Sequence, residues 1–353
     1  MDFEKKYLAE IEEMRAAVRA KIARFDPKSS ATDEFRVTFE YVRTNFAHIL
    51  DVTERRENIE LATQAMEELL INRNIDHVPT YFPELSDHIE LHDSTGVLNG
   101  VAAGRTYMFA GFHTGPYWSI VQKLVALGAK ITVLLPPSLA HKEPEILETY
   151  HALNARHRRG ADLKFLRIDK SNFLMQVRAD THAGRQLLLF VDGYGGYQAS
   201  PNKKDVVLKF LNCELSVKTT APRLAEIVGL PIVTFNAARL NGTKRLLYIA
   251  GPFNPDAADR KSSIDHTSIV QSIFQCLEAR LKIAPARWEG WVYFHTFFSK
   301  GFLNTLRVRS ANSERFAEPS ERFFVQGTND QRLLVDRATY QGYRIKDRQT
   351  VPG

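Results

Sequence analysis

His113 is the residue whose type and position most clearly predict chemistry. It follows a short apolar segment, 107–110, that is typical of a strand, and it precedes a segment with helical periodicity, 115–127. Gly115 would allow close approach of a backbone, and Pro116 suits a first helical turn. Open α/β sheets bind ligands where parallel strands end, and histidine is the usual general base near neutral pH. The position therefore favours a general base, and the alternative is a half-buried histidine that only packs or caps.

Asp192 is a second candidate, because it directly follows the apolar segment 187–191 and precedes a glycine-rich turn. A carboxylate at a strand end can orient a nearby histidine, and the N–H groups of such a turn can bind a developing negative charge. Asp192 is therefore a candidate catalytic residue, and Gly193 and Gly195 are candidate substrate-binding residues. The alternative is a plain glycine loop.

Three other patterns carry weaker signals. Arg156, Arg158 and Arg159 lie at a predicted helix end, where basic residues complement the helix dipole or could dock an acidic surface. Segment 88–93 places histidines and acids on one strand, but one strand seldom supplies a full ligand set, so we predict no metal. Cys213 is interpreted as a packed thiol in a loop. No aromatic–basic motif suggests a nucleic-acid partner, so we predict none.

The composition is that of an ordinary globular chain. Of 353 residues, 44% are hydrophobic and 25% are charged, which excludes collagen, coiled-coil and disordered classes. The two cysteines cannot build a disulfide framework, which favours a reducing compartment. The chain begins with a highly charged segment and contains no apolar run of the roughly 20 residues that cross a bilayer, so we expect a soluble, cytoplasmic protein. The net charge of +6 permits an acidic partner.

The periodicity of the apolar residues predicts an α/β fold with a mostly parallel central sheet flanked by helices. Residues 1–85 carry helical stripes, which could cover the sheet, lie on a membrane surface or form a dimer contact. Residues 86–300 are predicted as the α/β domain, and residues 301–353 as a linker and a small β-rich extension. Within the α/β domain, the expected strands are 88–92, 107–110, 131–135, 164–168, 187–191 and 232–236, and the expected helices are 115–127, 143–158, 170–182, 217–228 and 267–283.

Four segments, in order, resemble the late acyltransferases of lipid A biosynthesis, which belong to the lysophospholipid acyltransferase superfamily. They are GRTYMFAGFHTGPYW at 104–118, LVALGAKITV at 124–133, APRLAEIVGLPIV at 221–233 and APARWEGWVYFH at 284–295. The first is similar to the family's strand that ends in the catalytic histidine. The resemblance implies that His113 is catalytic, that Arg239 binds substrate, and that the co-substrate is an acyl thioester with no further cofactor. Gly115 is a further candidate substrate-binding residue, because it would allow close backbone approach.

The chain departs from the family pattern in two places. The family has Asp or Glu five positions after its histidine, whereas this chain has Trp118, which becomes a candidate substrate contact. Asp192 is our expected substitute, since neighbouring parallel strands would bring the two strand ends together. The family's apolar N-terminal anchor also has no counterpart here, although peripheral membrane contact stays open.

These observations predict an acyltransferase that moves an acyl group from acyl carrier protein or coenzyme A to a hydroxyl or amine, in specialised-metabolite or lipid assembly. His113 would act as the general base, and the glycine turn or Arg239 would stabilise the oxyanion. One alternative is a catalytically inactive protein of this fold that binds a carrier protein or partner enzyme. Another is a thioester hydrolase with water as the acceptor.

Overall fold

The computed structural model describes residues 2–25, 33–76, 83–137, 139, 143–157, 160–193, 205–253, 265–310, 322–328 and 331–344. The helices are α1 (Phe3–Ala23), α2 (Glu34–Ile49), α3 (Arg55–Ile71), α4 (Val97–Ala102), α5 (Ser119–Ala126), α6 (Glu143–His157), α7 (Phe173–His182), α8 (Thr220–Val228), α9 (His266–Leu281) and α10 (Lys300–Ser310). The strands are β1 (Ile89–Asp93), β2 (Met108–Gly111), β3 (Lys130–Leu135), β4 (Asp162–Arg167), β5 (Gln186–Phe190), β6 (Asp205–Phe210), β7 (Cys213–Lys218), β8 (Ile232–Arg239), β9 (Arg245–Ala250), β10 (Phe323–Thr328), β11 (Gln331–Asp336) and β12 (Gln341–Arg344).

The central sheet has seven strands in the order β1-β9-β8-β2-β5-β3-β4. All neighbouring pairs are parallel except β8 and β9. This confirms the predicted α/β class and its mostly parallel sheet. Leu187 and Leu188 of β5 are fully buried, as expected of a strand that lies inside a sheet covered by helices.

Helices α5 and α6 pack on this sheet and close its main apolar core. The core includes Ile120 and Leu124 of α5, Phe109 of β2 and Leu188 of β5, all of which are fully buried. Burial of this kind contributes about 25 cal/mol for each Å² of apolar surface removed from water. The core therefore fixes the positions at which β2 and β5 end.

Strand β9, which forms a hairpin with β8, was not among the predicted strands. The turn of this hairpin contains Asn241 and Gly242, a pair that favours tight hairpins because both residues tolerate the left-handed conformation. Gly242 has a φ of +67°. The prediction that Cys213 lies in a loop was also wrong, because Cys213 begins β7 and is buried there.

The chain divides into two compact units. The first comprises residues 1–14, 67–206 and 217–290 and contains the central sheet. The second comprises residues 15–66, 207–216 and 291–353. It contains most of the β6–β7 hairpin and an antiparallel sheet in the order β10-β11-β12, within the predicted β-rich extension. The predicted domain bounds stay a prediction.

Within the part of the chain that the structure describes, no helix has the length and apolar character needed to cross a bilayer.

Candidate active site

The ends of two neighbouring strands create the site. β2 pairs with β5 in parallel, and Gly111 lies opposite Phe190. The Val191 N–H then donates to the Gly111 carbonyl at 2.9 Å, which carries the pairing one residue further. His113 and Asp192 follow this last paired position on their respective strands. The two predicted catalytic residues therefore leave the sheet side by side.

His113 and Asp192 form a direct hydrogen-bonded pair. The distance from His113 Nδ1 to Asp192 Oδ1 is 2.7 Å, and the His113 backbone N–H donates to Asp192 Oδ2 at 3.0 Å. Trp288 Nε1 donates to the same Oδ2 at 2.6 Å. An ionised carboxylate can only accept, so this contact places the imidazole proton on Nδ1 and leaves the Nε2 lone pair free to act as a base.

The surroundings of the imidazole bias its protonation. Its ring stacks on Phe190, with the two ring centroids 4.2 Å apart, and meets Tyr117 edge-on. The His113 side chain retains 21% exposure, whereas that of Asp192 retains only 1%. Burial by itself lowers the pKa of His113, but the charge and the hydrogen bond of Asp192 outweigh it, so the pKa lies above its ordinary value of 6.5.

The segment after His113 is held by a short antiparallel pairing with residues 287–289. Thr114 bridges Trp288, the Gly115 N–H donates to the Arg287 carbonyl, and the Glu289 N–H donates to the His113 carbonyl. Gly115 adopts a φ of +48°, and a Cβ there would lie 2.8 Å from the Ala237 carbonyl oxygen. Gly115 is therefore required for backbone approach between strand ends, and no substrate contact is needed to explain it.

Trp118 occupies the position where the resembled family has an acid, and the structure buries it. Its ring packs near Tyr150 and Phe190, and only 6% of the residue is exposed. This placement gives Trp118 a packing role and does not support the predicted substrate contact. The orienting carboxylate comes instead from Asp192, as the sequence predicted.

The predicted glycine turn is described only in part. Gly193 borders Asp192 and is partly exposed, whereas Gly195 lies outside the described residues. The same holds for Arg158 and Arg159 of the basic cluster. The remaining member, Arg156, makes an ion pair with Asp87 at 2.6 Å.

Arg239 does not offer the free guanidinium that the sequence predicted. Its side chain is buried and donates to Asp76, Glu68 and Asn72. Asp76 also accepts from Arg245 and from the Tyr7 hydroxyl. Burial by itself would raise the pKa of Asp76, but the two guanidinium charges lower it. Because its nitrogens donate to these partners, Arg239 stabilises a buried network, and this geometry does not support its predicted role as an oxyanion donor.

Replacing Asp76 with alanine is expected to lower the free energy of unfolding by about 3–5 kcal/mol, because it leaves two buried guanidinium groups without their shared carboxylate. Urea denaturation followed by circular dichroism measures this loss. Asp169→Ala is the matched control, since Asp169 pairs with Arg167 at the surface and should leave the unfolding midpoint unchanged. Equal midpoints for the two variants would contradict this account of the network.

Two charged residues at the site were missed by the sequence analysis. Glu289 is buried, and its Oε2 accepts from Arg73 Nε at 3.2 Å. Among the described residues, no donor reaches Glu289 Oε1. Burial raises the pKa of Glu289, and the charge of Arg73 opposes this rise. The available signal was a lone acid among Trp288, Gly290 and Trp291, a setting that favours a buried carboxylate with a partner.

Within the described residues, no group of three or more His, Cys, Asp and Glu side chains could hold a metal ion. The contact between His113 and Asp192 supports proton transfer by an oriented imidazole.

In comparisons with known proteins, no family model matches the chain, and no curated protein matches it. The resemblance to the lipid A acyltransferases therefore stays a prediction.

Proposed function

We propose that this protein is an acyltransferase that uses an acyl thioester as donor and a hydroxyl or an amine as acceptor. The observation that carries the proposal is the contact between His113 Nδ1 and Asp192 Oδ1 at 2.7 Å, because it orients the imidazole with Nε2 unprotonated. A buried carboxylate that fixes the tautomer of a partly exposed histidine is the arrangement that general-base catalysis needs.

The reaction proceeds by direct transfer. His113 Nε2 takes the proton of the acceptor while the acceptor's lone pair forms a bond to the thioester carbonyl carbon, and the carbonyl electrons move to oxygen. The oxyanion then collapses, the C–S bond breaks, and the thiolate leaves with the proton that His113 carried. Asp192 stabilises the imidazolium between these two steps.

The donor is proposed to be acyl carrier protein or acyl-coenzyme A, in the cytoplasm. The family resemblance suggests a thioester, and the net charge of +6 favours an anionic donor. Arg156 is paired with Asp87, so its charge adds little to the attraction of an acidic carrier protein. Experiment therefore decides between the two donors.

Purified protein is expected to release thiol from dodecanoyl-coenzyme A or dodecanoyl acyl carrier protein in the presence of hydroxylamine, a small general nucleophile. A thiol-reactive dye follows release, and the ferric complex of the hydroxamate follows transfer. Free acid formed without hydroxylamine would indicate the hydrolase instead. Tight binding of the carrier protein without thiol release would contradict catalysis and favour the inactive carrier-binding alternative, to which Trp118 at the acidic position points.

A further inference from the structure

The oxyanion of the proposed reaction needs donors, and the obvious ones beside His113 are already occupied. The N–H groups of His113, Thr114 and Gly115 donate to Asp192, Phe112 and Arg287, respectively. Arg239 is bound within the Asp76 network. Stabilising a developing oxyanion is usually a large catalytic contribution, so a positively charged side chain beside the imidazole would add strongly to the rate.

We propose that Arg73 supplies this positive charge, and that its guanidinium binds the thioester carbonyl oxygen as that oxygen becomes negative. This inference rests on the proposed acyl transfer. Arg73 is 49% exposed, and its Nε donates to Glu289. Among the described residues, neither of its terminal nitrogens has a partner, so both are available to an anionic group.

The backbone of Arg73 is held on both sides. It lies in a single π-helical turn, Asn72–Asp76, and turns of this kind occur frequently at functional sites. Asn72 and Asp76 are both bound to Arg239, and Asp76 is also bound to Arg245. The buried network therefore positions the segment that carries Arg73, and Glu289 fixes the Nε edge of the guanidinium.

Glu289 places the Arg73 guanidinium near His113. The Glu289 N–H donates to the His113 carbonyl at 2.9 Å, and the Gly115 N–H donates to the Arg287 carbonyl at 2.8 Å, on either side of the Thr114–Trp288 bridge. Residues 113 and 289 thus lie opposite each other beside this bridge and share one backbone hydrogen bond, since the His113 N–H donates to Asp192. Side chains of directly opposite residues leave on the same face. The imidazole and the Glu289–Arg73 pair consequently share one side of the site.

A guanidinium suits this task because it stays charged throughout the reaction and offers two N–H groups in a fixed plane. In the ground state the carbonyl oxygen is neutral and binds Arg73 weakly. After attack it carries a full negative charge, and the contact strengthens. The interaction should therefore affect kcat more than KM.

The test measures thiol release and hydroxamate formation from dodecanoyl-coenzyme A by full-length Arg73→Ala, Arg73→Lys and Arg167→Ala proteins. Arg73→Ala is expected to lose about 10²–10³ in kcat with little change in KM, and Arg73→Lys to recover part of the loss. Arg167 is the matched control, because it is a partly exposed arginine that also pairs with one acid, Asp169. Its variant should match the wild type.

A second measurement does not depend on turnover. A trifluoromethyl ketone analogue of the thioester mimics the tetrahedral state, and a thioether analogue mimics the ground state. Arg73→Ala should weaken binding of the ketone by about the same 10²–10³ and leave thioether binding within about threefold.

The outcomes separate the two proposals. If the wild type releases no more thiol than a His113→Ala protein, the acyltransferase assignment fails. If the wild type is active but Arg73→Ala equals Arg167→Ala in kcat and in ketone affinity, the role of Arg73 is overturned and the acyl transfer stands. Matching circular dichroism spectra and melting temperatures confirm that the variants are folded.

Discussion

Replacing His113 with alanine is expected to lower thiol release from dodecanoyl-coenzyme A by about 10²–10⁴, to the background rate or near it. The reason is that Nε2 of this imidazole is the proposed proton acceptor, oriented by Asp192 through Nδ1. The rate is measured under single-turnover conditions, so that product release does not hide the chemical step.

The fold should survive this change. Asp192 would keep two of its three donors, the His113 backbone N–H and Trp288 Nε1. His182→Ala is the matched control, since His182 is an exposed residue in the last turn of α7 and should retain full activity. A His113→Ala protein that keeps the wild-type rate would eliminate the general-base mechanism.

The meeting of His113 and Asp192 was predictable because it depends on local patterns and one rule of topology. Each residue follows a short apolar segment, and the carboxyl ends of parallel strands lie at the same edge of a sheet. What the alternation of strands and helices could not decide is the strand order, because many orders place the same segments in one parallel sheet. The structure places β5 directly beside β2.

The rest of the site could not be predicted, because it depends on contacts between segments far apart in the chain. Arg73 and Glu289 are separated by 216 positions, and no periodic pattern links a helical N-terminal segment to a turn near residue 289. The buried network around Arg239 depends on the same kind of distant contact. The predicted strand ended at residue 236, whereas β8 continues to Arg239, and its partner Asp76 lies 163 positions earlier, so its burial could not be read from the sequence.

The proposed base and the proposed oxyanion donor depend on different elements of the fold. The His113–Asp192 pair lies at strand ends of the central sheet. Arg73 and its neighbours Asn72 and Asp76, which bind Arg239, come from the segment after α3. Changes in the Asp76 network should therefore reduce oxyanion stabilisation while leaving the imidazole oriented. Changes at Asp192 should do the reverse.

Asp192→Asn is expected to reduce the rate nearly as much as the loss of His113, because an amide cannot accept all three of the hydrogen bonds that Asp192 accepts. If the amide oxygen takes the donors from the His113 backbone and Trp288, its NH₂ group faces His113 Nδ1. The imidazole must then accept at Nδ1 and carry its proton on Nε2, which removes the base. The same substitution in a serine-protease triad costs about 10⁴ for this reason.

The pH dependence separates this explanation from simple misfolding. In the wild type the pKa of His113 lies above 6.5, and only the neutral imidazole can accept a proton, so activity should rise with pH through that raised value. Asp192→Asn removes the carboxylate charge, which is the main cause of the raised pKa of His113. The pKa of His113, followed by NMR of its ring protons, should therefore fall in Asp192→Asn, and any residual activity should begin at lower pH.

Asp169→Asn is the control, since it neutralises an exposed aspartate that pairs with nearby Arg167. It should change neither the rate nor the pKa of His113. If Asp192→Asn also left both the rate and the pKa of His113 unchanged, Asp192 would not orient the base, and the His113–Asp192 pair would have no catalytic role. If the rate fell while the pKa of His113 stayed at its wild-type value, the carboxylate would act on the fold around the imidazole, because its charge would then be irrelevant to proton transfer.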